Sequence, residues 1–267
     1  MHPDIDVIRS RLVDFGIPIA MVDQICERLD KNVVGVLMYG SWARHDAGPE
    51  SDLDILILTN DTANYTTVEA PPKLSVSRYT RDQLQGAAET LFGMHLARDG
   101  VIVYDEHNQL ETILKSFSAP NPRHLIERVR KFSLVFDIPN DELTTYLVGL
   151  CKLARYLLRS TIYAIALEQG APCFSVRELS ERFNDPSLAT ILSSHPGVYP
   201  APSAAVLDDL LLRLRKAVGE PERNPFGTIH SLIVGYWDDD PELAQLATLA
   251  LGSGDALPYS EIPKVVL

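Results

Sequence analysis

Two apolar runs separated by a short polar insert constrain this chain most. Val33–Met38 is apolar throughout and ends in Tyr39-Gly40-Ser41; ten residues later Asp52-Leu53-Asp54 opens a second run, Leu53–Leu58. Runs this short, bounded by glycine, proline and serine, are predicted as buried strands rather than core helices. Trp42–Ala47 is predicted as a short helix or turn beginning at Ser41, and Gly48–Ser51 as a turn. Leu74–Tyr79 alternates apolar and polar residues, and Val101–Tyr104 follows Gly100; both are predicted strands. Apolar residues at helical spacing predict helices over 4–15, 18–30, 91–98 and 106–117. Thr80 is the expected cap of another helix reaching Glu89, with Asp82 in its first turn. Asn60–Pro72 is polar and predicted as a loop.

Beyond Ser118-Ala119-Pro120-Asn121-Pro122, the strand signal almost disappears. Helical patterns cover 123–136, 141–169, 175–184, 186–193, 203–217 and 241–251, interrupted by three prolines in Pro196–Pro202. The expected class is α+β: a small mixed β-sheet domain with flanking helices over residues 1–118, an all-helical domain over 122–251, and a C-terminal tail, 252–267.

Composition narrows the function. A formal charge of −12 disfavours a general nucleic-acid binder, which needs basic surface to displace counterions. Polyphosphate arriving with a divalent cation is compatible with that charge. No run of eighteen apolar residues is present, so no membrane span is expected, and the N-terminus lacks the apolar centre of a signal peptide. Cys26, Cys151 and Cys173 are odd in number and widely spaced. They are expected as buried free thiols in a reducing cytoplasm.

In a strand, side chains alternate with period two, so Asp52 and Asp54 share a face. Adjacent carboxylates repel unless a cation sits between them, and their hard oxygens suit Mg²⁺ or Mn²⁺ shared with substrate phosphates. Gly40 lets backbone approach a ligand closely. Ser41 offers its hydroxyl and the free N–H groups of a helix start to a phosphate. The pair of features is a phosphate cradle opposite a metal clamp, fit to transfer a nucleotidyl group by positioning and charge neutralisation.

With Tyr39 before the glycine, Arg44 after it and Ser51 before the first aspartate, Gly40-Ser41, ten residues, Asp52-x-Asp54 resembles the signature of the DNA polymerase β-like nucleotidyltransferase superfamily. It is most similar to the minimal nucleotidyltransferase branch, which includes antibiotic nucleotidyltransferases and antitoxins that transfer AMP to a partner protein. The likeness extends over about residues 33–105, including Phe92–Asp105. It implies a metal-dependent enzyme moving a nucleoside monophosphate, AMP first, from an NTP to a hydroxyl of a small molecule or protein. Asp52 and Asp54 would be catalytic metal ligands, and Gly40, Ser41 and Arg44 phosphate contacts; for Arg44 the alternative is a surface arginine beside Asp46. The family's third carboxylate falls on the following strand, where this chain has Ser75 or Ser77. Neither hydroxyl is a strong metal ligand or a good general base at neutral pH. The competing reading is therefore an NTP-binding regulatory or antitoxin-like protein with weakened turnover.

Other conspicuous residues have plainer readings. His45 is expected as an exposed loop histidine, His95 as a structural one, and Trp42 as a cover on the loop. Asp238-Asp239-Asp240-Pro241 reads as a helix cap. The stretch from Leu153 to Phe183 resembles the helical domains that accompany minimal nucleotidyltransferases. The ribonuclease motif of such domains is not matched, since no histidine follows Arg159 in range and Pro225 and Gly227 interrupt Arg223…His230. This domain is expected to wall the nucleotide cleft, select the acceptor or form a homodimer.

Overall fold

A computed structural model describes residues 3–49, 51–60, 73–193 and 198–252. The predicted loop beyond Asn60, Glu50 of the predicted turn, Pro196 and the tail beyond Gly252 lie outside the described residues. The chain divides into two units, residues 1–119 and 120–267.

The first unit opens with α1 (Ile5–Asp14), capped by the Asp4 carboxylate, and α2 (Ile19–Cys26). The strands β1 (Val33–Tyr39), β2 (Leu53–Thr59), β3 (Leu74–Thr80) and β4 (Val101–Asp105) form one sheet in the order β3-β2-β1-β4. β1 runs antiparallel to β2 and β4, whereas β2 and β3 are parallel, so the sheet is mixed and the class is α+β. Between the strands lie α3 (Gly40–Ala43), α4 (Arg81–Gln85) and α5 (Leu91–Asp99); α6 (Gln109–Lys115) follows β4. Thr80 caps α4 in a capping box with Gln83.

Both faces of the sheet are covered, which is why β1 and β2 read as unbroken apolar runs. Val36, Met38, Ile55, Ile57 and Val76 pack with Ile8, Leu12, Val22 and Ile25 of α1 and α2. Leu37, Tyr39, Leu56 and Leu58 pack on the opposite face with Leu84, Phe92, Leu96, Leu110 and Ile113 of α4, α5 and α6.

The second unit contains only helices among its described residues: α7 (Pro122–Phe132), α8 (Asn140–Thr145), α9 (Leu147–Glu168), α10 (Val176–Arg182), α11 (Ser187–Ile191), α12 (Ala204–Val218), α13 (Ile229–Tyr236) and α14 (Pro241–Ala250). The long helix α9 buries Leu150, Leu153, Leu157 and Leu158 and is the hub of this core. Two details depart from the sequence expectation. The helix predicted over 141–169 is split at Tyr146, which closes α8 and precedes α9. The helix α13 was not expected; it begins only after Pro225 and Gly227, where the Thr228 hydroxyl accepts from the Ser231 N–H. Asp240 caps α14, with Pro241 at its first position.

Candidate active site

The Gly40-Ser41 bend forms because β1 must turn abruptly after Tyr39. Gly40 has φ +75°, a left-handed conformation that side chains resist, and its carbonyl then accepts from the Arg44 N–H. A second reason for glycine lies across the sheet. A β-carbon on Gly40 would stand 2.5 Å from Asp54 Oδ2. The Asp54 carboxylate therefore occupies the space beside the bend that a side chain would fill.

The register accounts for this contact. Tyr39, the last residue of β1, is the cross-strand partner of Asp54, and Asp54 is in turn the partner of Ser75 on β3. Directly opposed residues share a face, so Tyr39, Asp54 and Ser75 form one row on the side covered by α4, α5 and α6. Asp52 stands immediately before β2, two residues from Asp54, with Leu53 N–H bonded to the Lys73 carbonyl between them. Both aspartates are half-buried.

The two serines occupy different environments. Ser75 is half-buried and opposes Asp54. Ser77 opposes Leu56 one step deeper, is buried, and hydrogen-bonds the Tyr39 hydroxyl. Burial, reinforced by the Asp54 charge, pushes the Tyr39 phenol well above its ordinary range despite that bond, so Tyr39 stays neutral.

Arg44 follows α3 and is mostly enclosed. Its Nε donates to Asp46 Oδ2 at 3.4 Å, and its Nη1 reaches His95 Nε2 at 3.1 Å and Asp99 Oδ2 at 3.5 Å. An arginine has only donors, so in this contact His95 Nε2 can only accept. The His95 ring also meets Tyr39 edge-to-face at 5.8 Å. His45 adopts φ 59° and stacks on Phe15, while Trp42 packs against the core beside α1 and α2. The sequence alone did not connect His95 or Asp99 with Arg44, which is 51 and 55 residues away; the only signal was their i,i+4 spacing on one helix.

This geometry joins a glycine bend to a strand-borne carboxylate, and comparison with known families bears on what it is for. Residues 19–110, from α2 into α6, match the family model described as the nucleotidyltransferase domain. Residues 19–110 form a nucleotidyltransferase domain. The match includes Gly40, Ser41, Asp52, Asp54 and the whole sheet. No curated protein matches the chain. Among solved structures, the spectinomycin adenyltransferase AAD(9) from Enterococcus faecialis, solved with ATP and spectinomycin, is 13% identical; the match covers 87% of this chain and 99% of that one at a TM-score of 0.36. A nucleotidyltransferase-like protein from Exiguobacterium sibiricum 255-15 is 14% identical over 83% of this chain and 71% of its own, at a TM-score of 0.30. At such low overlap neither neighbour carries an argument about substrate or site.

Two properties of the nucleotidyltransferase domain bear on a cation. Asp54 stands at the bend and Asp52 two residues before it along the chain, and both offer the hard carboxylate oxygens that Mg²⁺ and Mn²⁺ prefer. The missing β-carbon of Gly40 lets the Asp54 carboxylate stand against the bend. The residues present therefore fit a divalent cation. Among the described residues, no group of three His, Cys, Asp or Glu side chains comes together as a fuller metal cage. No described helix is long and apolar enough to cross a membrane.

Proposed function

We propose that the chain transfers a nucleoside monophosphate, AMP in the first instance, from an NTP to a hydroxyl on a small molecule or protein. The observation that carries this reading is the Gly40–Asp54 approach within a nucleotidyltransferase domain. In this reading Asp52 and Asp54 hold the divalent cation. When bound, it would neutralise the triphosphate and assist pyrophosphate departure. The chain's own groups do the rest. Gly40 lets the backbone approach the phosphates, the Ser41 hydroxyl donates to one of their oxygens, and Arg44 offsets charge at the terminal phosphates. Tyr39, neutral and bonded to Ser77, fills the floor beneath Asp54 without adding a second charge there.

A second reading is favoured by β3. The residue paired with Asp54 is Ser75, not a carboxylate. A serine is a poor base for deprotonating an acceptor hydroxyl. This supports a protein that binds NTP as a regulator or antitoxin-like partner and turns it over slowly. The test incubates the protein with magnesium, each α-labelled NTP and a cell extract. A labelled acceptor and released pyrophosphate, both lost in Asp54→Ala, are expected of the enzyme. NTP binding with no pyrophosphate under any condition would replace it with the regulator.

A further inference from the structure

We propose that α5 is a positioning bracket for the phosphate side of the site: His95 and Asp99 fix the Arg44 guanidinium so that its remaining edge, Nη2, meets the terminal phosphates of a nucleotide seated at Gly40-Ser41. The proposal rests on the nucleotide-binding reading above and adds two residues to it.

The geometry is specific. Arg44 is held at Nε by Asp46, on its own loop, and at Nη1 by His95 and Asp99, one turn apart on α5. Among the described residues Nη2 has no hydrogen-bond partner. A guanidinium pinned at Nε and Nη1 loses most of its rotamer freedom and keeps the Nη2 hydrogens for a phosphate oxygen. The bracket also reaches the metal side. His95 packs on the ring of Tyr39, and Tyr39 opposes Asp54. One imidazole thus spans the phosphate grip and the β1 residue that opposes the carboxylate.

Asp99 is an unusual choice for a purely structural tie. Its side chain is only 6% exposed, with Arg98 at 3.5 Å as well as Arg44. Burial pushes its carboxyl above the ordinary value, against the opposing pull of Arg98 and Arg44 and with Asp46 adding to the rise. A carboxylate held where the fold resists its charge is consistent with selection for a task other than stability.

The experiment measures Mg-ATP affinity by titration calorimetry for wild type, Asp99→Ala, His95→Leu, Arg44→Ala and the Arg44→Ala/Asp99→Ala double variant. Thermal melting checks that each is folded, and Asp99→Leu, which also lacks an acceptor, replaces Asp99→Ala if the latter is not. Asp99→Ala and His95→Leu should each weaken ATP by about tenfold, the cost of a misplaced contact. The double variant should bind no worse than Arg44→Ala alone, because Asp99 acts through Arg44. His95→Gln, which keeps an acceptor, should restore part of the affinity lost in His95→Leu. Wild-type affinity in Asp99→Ala and His95→Leu, or a strictly additive double variant, would overturn the bracket alone. Wild-type protein that binds no Mg-ATP, or binding that survives Asp54→Ala unchanged, would instead overturn the site reading on which it rests.

Discussion

Gly40 and Asp54 define each other's positions. The bend at Gly40 has a left-handed φ, and the carboxylate of Asp54 lies where a Gly40 side chain would begin. Substitution therefore has two separable effects. Gly40→Ala should cost about 1–2 kcal/mol in stability from the backbone alone, and it should also displace Asp54. NTP affinity is expected to fall by more than the stability loss explains, which parallel melting and binding measurements on the variant would reveal. Normal binding in a folded Gly40→Ala protein would show that the close approach has no functional consequence.

Ser75, rather than Ser77, opposes Asp54, whereas Ser77 is occupied with the Tyr39 hydroxyl. If turnover is limited by the missing carboxylate, Ser75→Asp should raise pyrophosphate release, by roughly tenfold or more for a restored base. Ser77→Asp should instead destabilise the fold, because it buries a charge beneath Tyr39. Steady-state pyrophosphate assays with both variants separate the two positions.

Asp99 gives a prediction with a definite sign. Its carboxyl is raised above the ordinary value of 3.8 in the folded state, so the native protein binds that proton more tightly than the unfolded chain does. Stability contributed by the protonated form is present below the ordinary value and is lost as pH rises through the raised one. At neutral pH Asp99→Asn should thus melt at the same temperature as wild type or higher. The difference should shrink as pH falls towards about 4, where a carboxyl approaches protonation. Melting curves at several pH values test this independently of activity.

Asp240 behaves in the opposite way. Burial alone would raise its carboxyl, but Lys131 at 2.5 Å, the Leu243 N–H and Arg128 outweigh it, and the net shift is downward. Its stabilisation is therefore present above the ordinary value of 3.8 and is lost as pH falls through the depressed value. Asp240→Ala removes both the cap of α14 and the partner of Lys131. The variant should lose about 1–2 kcal/mol at neutral pH, with the deficit narrowing in acid. Chemical denaturation at pH 7 and below about pH 4 measures it.

The sheet was legible because its central strands are buried on both faces. Val33–Met38 and Leu53–Leu58 had to be strands, and period-two alternation assigned Asp54 a face before any register was known. The order β3-β2-β1-β4 was not legible, because strand pairing is decided by tertiary packing rather than by any local signal. The same limit hid the difference between Ser75 and Ser77, which only the β2–β3 register reveals. Arg44, read from sequence with two alternatives, proved to touch Asp46 and two residues of α5 together. The α13 pattern, Ile-His-Ser-Leu-Ile-Val-Gly-Tyr, is too short and too evenly apolar to show a helical stripe, and its Thr228 cap follows a proline and a glycine.

The most direct test is a calorimetric titration of ATP, with and without Mg²⁺, into wild type and Asp54→Ala. A cation shared between carboxylate and phosphates predicts magnesium-dependent binding in wild type and at least about a tenfold loss in the variant. Equal affinity in the two proteins, or binding indifferent to magnesium, would contradict it.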